Sequence, residues 1–201
     1  MMVPKSWSKV KDRVHFLWQG IRRFREVGAV TYSSEALCRR ACQWMEEGSP
    51  NFVIELGGGD GVMTRYILDR LPEDGLLLSF EINGHLFQKL SEIDDPRLVP
   101  IHDSAEYIER YIASHGRGRP QGIISAIPFL VLPPELSKKI LEACFKALPP
   151  GGIFSQVHFS KKLVSFYEGI FGNITIFRVF NNIPPAYIFQ CEKSATDRLG
   201  K

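Results

Sequence analysis

Three acidic positions and a run of glycines stand where a small ligand carrying hydroxyls and positive charge could be held. Glu55 is followed at two-residue steps by Gly57, Gly59 and Gly61, with Gly58 between the first two, so the stretch reads E-x-G-x-G-x-G. Glu81 and the pair Asp103-Ser104 stand at later breaks in the chain, and Ser125-Ala126-Ile127-Pro128-Phe129 at a third. A strand that turns sharply into a helix leaves N–H groups unpaired at the helix start, and glycines let a ligand approach the bare backbone. A carboxylate ending the neighbouring strand is placed to accept both hydroxyls of a ribose. Two phosphate seats are excluded. The dinucleotide fingerprint needs a small residue where this chain has Val62, and no Gly-Lys-Ser/Thr follows the glycines to make a P-loop.

These residues meet only if they end parallel strands. The apolar run 52–56 reads as a buried strand, and the helical pattern of Val62, Tyr66, Ile67 and Leu71 follows the glycines at once. Strand and helix signals then alternate: strands over 76–82, 98–102, 122–127 and 153–159, and helices over 84–93, 105–115, 134–148 and 161–171. A helix over 34–47, capped by Ser33 or Ser34, precedes the first strand. Two strands, 173–180 and 186–191, close the chain with a Pro-Pro turn between them. The expected fold is α/β and Rossmann-like: a mostly parallel sheet of about seven strands with a C-terminal antiparallel strand. In an open sheet of this kind ligands bind at the C-terminal strand ends, so Glu55 and Glu81 point into one crevice.

The expected organisation is an amphipathic N-terminal helix within 1–30, the α/β domain over 31–193, and a polar tail over 194–201. Val3, Trp7, Val10, Val14, Leu17, Trp18, Ile21 and Phe24 follow three-and-four spacing and share one helical face. Lys11, Arg13 and Arg22 flank that stripe, and between Lys5 and Arg25 there are seven Lys/Arg and one acid, Asp12. Such a helix can lie in an anionic bilayer surface, pack on its own domain or contact an RNA backbone; Trp7 and Trp18 favour the bilayer interface.

With 201 residues, 44% hydrophobic, and a net charge of +3, the chain can bury one sizeable core but has no global charge surplus for nucleic acid. Its four cysteines form no CxxC pair and no Cys/His cluster with metal-ligand spacing. They read as small buried hydrophobes in a reduced, cytosolic setting, with no metal expected. No apolar stretch approaches the ~20 residues of a membrane span, and the N-terminus lacks a secretory apolar region.

The E-x-G-x-G-x-G spacing resembles the S-adenosylmethionine (SAM) corner of class I methyltransferases. That resemblance implies that Glu55 organises the corner and that Gly57, Gly58, Gly59 and Gly61 lie under the cofactor. Glu81 would hold the ribose, Asp103 would lie near the adenine amine, and Ile82, Ser104 and Ser125 would line the rest; S-adenosylhomocysteine (SAH) would be the product. From about residue 20 to 193 the chain looks like the bacterial phospholipid N-methyltransferases of the PmtA type. The likeness rests on Gly28-Ala29-Val30-x-x-Ser33-Ser34, the 55–61 corner, Phe80-Glu81-Ile82-Asn83, Ser125-Ala126-Ile127-Pro128, Leu148-Pro149-Pro150-Gly151-Gly152 and the block from Arg178 to Ala186. It departs at Tyr32, where members usually have Pro, and at His102-Asp103-Ser104, where they often have Gly-Asp-Ala. The resemblance implies methylation of the phosphatidylethanolamine amine towards phosphatidylcholine by a peripheral enzyme at the cytoplasmic membrane face; an ornithine-lipid head group is an alternative.

Methyl transfer is an in-line displacement at carbon, so the acceptor nitrogen must be held on the sulfonium axis. Ser125 stands where nucleic-acid N-methyltransferases carry Asn or Asp, and Ile127, Pro128 and Phe129 form the loop facing the acceptor. Phe129 in place of Tyr weakens an adenine-methylating reading, although an rRNA-type or protein acceptor and a non-catalytic binding module stay open. Tyr32, His158 and Tyr187 are candidates, with Ser125, for positioning the amine or taking its proton; each could instead be packed, and water could take the proton.

Overall fold

The structure is a computed structural model and describes residues 34–115 and 117–194. The expectations for the 1–30 helix, Trp7, Lys11, Arg13, Trp18, Arg22, Tyr32 and most of the polar tail lie outside the described residues.

Helices α1 (Glu35–Ala41) and α2 (Gln43–Gly48) lead into β1 (Phe52–Leu56), and α3 (Val62–Leu68) follows the glycine turn. Then come β2 (Leu76–Phe80), α4 (Gly84–Ser91), β3 (Leu98–Ile101), a 3₁₀ turn (Ala105–Tyr107) and α5 (Ile108–His115). They are followed by β4 (Gly122–Ser125), a second 3₁₀ turn (Phe129–Val131), α6 (Pro134–Ala147), β5 (Ile153–His158), α7 (Val164–Phe171), β6 (Ile174–Val179) and β7 (Ala186–Glu192). Seven strands form one sheet in the order β3-β2-β1-β4-β5-β7-β6. β7 runs antiparallel to both neighbours, β5 and β6, and the remaining pairings are parallel. The expected architecture is the observed one. The order reverses between β1 and β4, which opens a crevice at their C-terminal ends.

Alternation along β1 sorts the core into two layers. Phe52, Ile54 and Leu56 join Leu78, Phe80 and Phe154 on one face, under α5, α6 and α7. Val53 joins Leu77, Ile124 and Val157 on the other, under α1, α2 and α3. Both faces are closed, as a parallel sheet requires, and each fully buried large side chain contributes about 1.5–3 kcal/mol before its entropy cost. All four cysteines are buried and unbridged, as expected.

The differences from the sequence reading are local. The helix expected over 34–47 is two helices, divided at Cys42, whose Sγ lies 3.7 Å from Met63 Sδ. Ser34 is its N-cap and accepts from the Leu37 N–H at 3.2 Å. The helix expected from 161 starts at Val164, leaving Lys161 and Lys162 in the preceding turn.

Candidate active site

The glycine corner is held from below by Glu55, which is 1% exposed on the α3 side of β1. Parallel register sets Glu55 beside Ser79 of β2. Ser79 Oγ donates to Glu55 Oε2 at 2.5 Å and Thr64 Oγ1 of α3 donates to the same oxygen at 2.6 Å. The other oxygen, Oε1, is buried and has no partner among the described residues. Burial pushes the carboxyl up from 4.5 to about 7; the Ser79 and Thr64 hydroxyls counter this, and the nearby Glu81 and Asp60 add to it.

Gly57, Gly59 and Gly61 have φ values of +80°, +60° and +82°, which turn the chain between β1 and α3. Gly58 is constrained by space: a Cβ there would lie 2.4 Å from Ser79 Oγ and 3.1 Å from Leu90. The unpaired N–H groups expected at this corner are not found at the glycines. The Gly57 and Gly58 N–H groups donate to Phe80 O, that of Gly61 to Gly58 O, and that of Gly59 to Glu81 Oε2 at 2.9 Å. The glycine turn is therefore no anion nest, which agrees with a seat for a phosphate-free ligand.

Glu81 is 5% exposed; its Oε1 accepts from the Asn83 N–H at 2.8 Å. Asn83 in turn caps α4, accepting from the N–H groups of His85 and Leu86 at 3.0 Å. Ile82 is exposed beside it, and its carbonyl is 3.1 Å from His102 Nε2, with the His102 ring stacked on Phe87 at 4.8 Å. Asp103 accepts from Tyr111 Oη at 2.8 Å and from the Ser104 N–H at 2.7 Å, and Ser104 caps the 3₁₀ turn. Glu55, Glu81, Ile82, Asp103 and Ser104 thus stand around one end of the crevice, at and beyond the tips of β1, β2 and β3.

The other end is built differently. Ser125 is fully buried at the tip of β4, and its Oγ accepts from the Ile127 N–H at 3.3 Å. Ala126 and Pro128 are exposed and Ile127 is half-buried. Gln156, buried in β5, holds this loop: its Nε2 donates to Ile127 O at 2.9 Å and to Val157 O at 2.7 Å. Phe129 does not face the crevice as expected. It turns inward, 2% exposed, with its ring edge-on to Tyr167 at 6.1 Å, because the 3₁₀ turn directs it into the α6–α7 layer.

His158 is also turned away from solvent. It is 4% exposed, its Nε2 lies 3.0 Å from Tyr167 Oη, and its ring packs on Phe189 at 4.5 Å. Burial pulls its pKa down to about 4. It is a neutral packed imidazole rather than a base open to an incoming amine. Tyr187 pairs with His158 across β5 and β7 but is half-buried, with Lys161 Nζ 5.4 Å from its ring centre. Thr64, Ser79, Tyr111 and Gln156 were not singled out by the sequence, and Asn83 entered only as the end of the 80–83 block. Ser79 alone could have been found, as a hydroxyl inside the apolar run 76–80. Among the described residues no group of His, Cys, Asp and Glu is arranged to hold a metal ion.

No protein-family model matches the chain. An ornithine lipid N-methyltransferase of Singulisphaera acidiphila is 23% identical over 185 residues, covering 90% of this chain and 96% of that protein. The O-methyltransferase from Bacillus cereus in complex with SAH matches with a TM-score of 0.67 at 11% identity, over 88% of this chain and 90% of that one. The N-methyltransferase NodS from Bradyrhizobium japonicum, also with SAH, matches with a TM-score of 0.62 at 9% identity, over 80% and 88%. Oxygen- and nitrogen-directed methyltransferases share this architecture, so the fold does not select the acceptor. The chain has the Rossmann-like fold of class I SAM-dependent methyltransferases.

Proposed function

We propose that the chain is a SAM-dependent N-methyltransferase acting on the amine head group of a membrane lipid. The observation that carries the cofactor is the carboxylate-lined glycine corner. Glu55 and Glu81 lie on either side of a turn whose glycine N–H groups are satisfied internally, so the corner has acceptors for hydroxyls and negative charge for a cation, and no phosphate cradle. The residues present fit SAM: Glu81 would hold the ribose, Glu55 with Gly57–Gly61 the methionine end, and Ile82, Asp103 and Ser104 the adenine. Bound there, SAM supplies an electrophilic methyl on a sulfonium.

The chain's own residues then have to place a nitrogen. Ser125 with the 126–128 backbone, held by Gln156, sets one wall of the acceptor site. Tyr187 and Tyr32 are the remaining candidates to orient the amine. His158 is withdrawn as a proton acceptor, and water takes the proton, because methyl transfer depends on alignment more than on a strong base.

The lipid acceptor is supported by the relative's name and by the sequence of the 1–33 segment. That relative moves an ornithine-lipid head group ahead of phosphatidylethanolamine; both present an amine at an anionic surface, where the protein would act as a peripheral enzyme on the cytoplasmic side. An RNA-base acceptor loses its main support, since buried Phe129 offers no face for stacking. The test is incubation with SAM and, in parallel, ornithine-lipid vesicles, phosphatidylethanolamine vesicles and RNA, followed by mass spectrometry. Methylated amine in either lipid is expected; methyl transfer to RNA with none to lipid would reverse the reading.

A further inference from the structure

The large hydrophobic residues that stay exposed among the described residues all follow the C-terminal ends of strands or join β6 to β7, whose start lies at that same edge. Five belong to the β4–β5–β7–β6 side: Leu130, Val131, Phe159, Phe180 and Ile183. Phe159, Phe180 and Ile183 are 52%, 67% and 80% exposed, far beyond what a core or a solvated loop needs. They stand on loops 126–133, 159–163 and 180–185, which contain no Asp or Glu. Three cations accompany them: Lys161, Lys162 and Arg178, all exposed. The Arg178 guanidinium lies over the Phe180 ring at 4.5 Å, and among the described residues none of the three is in an ion pair.

Ser34, the first described residue, is bonded at this rim. The Ser34 N–H donates to Asn182 Oδ1 at 3.2 Å, and Asn182, buried, donates through Nδ2 to Pro184 O at 2.8 Å. Ser34, which follows a sequence with seven cations against one acid between Lys5 and Arg25, is therefore bonded to the loop that presents Ile183.

We propose that this rim is a docking surface for an anionic lipid bilayer. Phe159, Phe180 and Ile183 enter the boundary of the acyl chains, and Lys161, Lys162 and Arg178 meet lipid phosphates. The proposal rests on the lipid-acceptor reading, because it brings the mouth of the crevice against the surface that holds the head group. An apolar rim with cations and no carboxylates suits such a surface; a protein partner of opposite charge would leave the exposed apolar side chains needing a matched groove.

The test is co-sedimentation of the full chain with vesicles of phosphatidylcholine alone, or of phosphatidylcholine and phosphatidylglycerol in equal parts. Neither lipid carries a methylatable amine, so binding is read apart from turnover. The double variant Phe180→Ser/Ile183→Ser is expected to bind mixed vesicles at least about tenfold more weakly. Lys161→Ala/Lys162→Ala is expected to lose about tenfold on mixed vesicles and nothing on phosphatidylcholine alone. SAH binding by calorimetry reports whether each variant is folded, and the exposed lysine pair keeps the test decisive if the apolar variant is not. Wild-type vesicle binding by both folded variants would overturn the proposal, whether the rim is covered by residues 1–33 or by a second copy of the chain. Defective binding by the variants with no aminolipid methylated by the wild type would leave the docking surface and remove the acceptor reading. Methylation of detergent-dispersed aminolipid with undisturbed vesicle binding would do the reverse.

Discussion

The two halves of the crevice are made of opposite materials. At the β1, β2 and β3 tips stand Glu55, Glu81 and Asp103, each accepting two or more hydrogen bonds within the fold. At the β4, β5 and β7 tips stand Ser125, Ile127, Gln156 and Tyr187, fringed by exposed apolar side chains and lysines. Each half also buries a titratable group whose pKa is displaced. Glu55 is pushed up to about 7 and His158 down to about 4, both by burial. The contrast teaches where function sits on a fold shared by many methyltransferases. On the proposed reading, the acidic half answers to the cofactor and the apolar half to the acceptor.

The largest effect is expected on the acidic side. Glu81→Ala removes both acceptor oxygens proposed for the ribose, and SAH affinity by calorimetry should fall on the order of 100-fold or more. Vesicle binding should be unchanged. If both fell together, the halves would not be separable.

Glu55 sharpens the same side through pH. Its folded pKa of about 7 stands above the ordinary 4.5, so between those values the folded state keeps a proton that the unfolded chain releases. The contribution, on the order of 3 kcal/mol, is complete below the lower value and is lost as pH rises through the upper one. Relative to the wild type, Glu55→Gln, with no proton to lose, should gain about that much stability between the bottom of the window and above it, measured by urea unfolding. His158 has the opposite sign: its contribution is present above 6.5 and lost as pH falls towards 4. That slope should persist in Glu55→Gln.

On the apolar side, Gln156→Leu deletes the hydrogen bond to Ile127 O in the acceptor loop and a second one to Val157 O within β5, and should lower kcat on aminolipid by about tenfold. SAH affinity should hold, because Gln156 touches none of the three carboxylates. A fall in SAH affinity equal to the fall in kcat would make it a general scaffold residue.

The smallest effect on turnover is expected at His158. Loss of a general base costs on the order of 100-fold or more, whereas His158→Asn should change kcat by less than about threefold, with stability lowered. A drop of the larger size would restore His158 as a proton acceptor.

Much of the acidic half could be read from the chain. Glu55, the glycines and Glu81 each sit at the end of an apolar run, and strand ends in a parallel sheet converge by topology alone. What spacing could not supply were partners brought together by packing. Thr64 and Ser79 reach Glu55 from a helix and a neighbouring strand, and Gln156 crosses from β5 to the loop after β4. The apolar half misled for the same reason. Phe129 and His158 lie beside loops in sequence, where exposure is the natural expectation. Both are covered by Tyr167 of α7, whose position depends on tertiary packing. Asn182 shows the reverse case. It belongs to the terminal block that resembles the lipid enzymes, and its buried amide, bonded to Ser34 and Pro184, gives that block a structural reason.

The division of labour between the halves is tested most directly by lipid mass spectrometry on cells expressing the chain or its Glu81→Ala variant. The account predicts new N-methylated aminolipids, one methyl increment or more above the parent, with the wild-type chain and none with the variant. An unchanged aminolipid profile from a wild-type chain that binds SAH would contradict it.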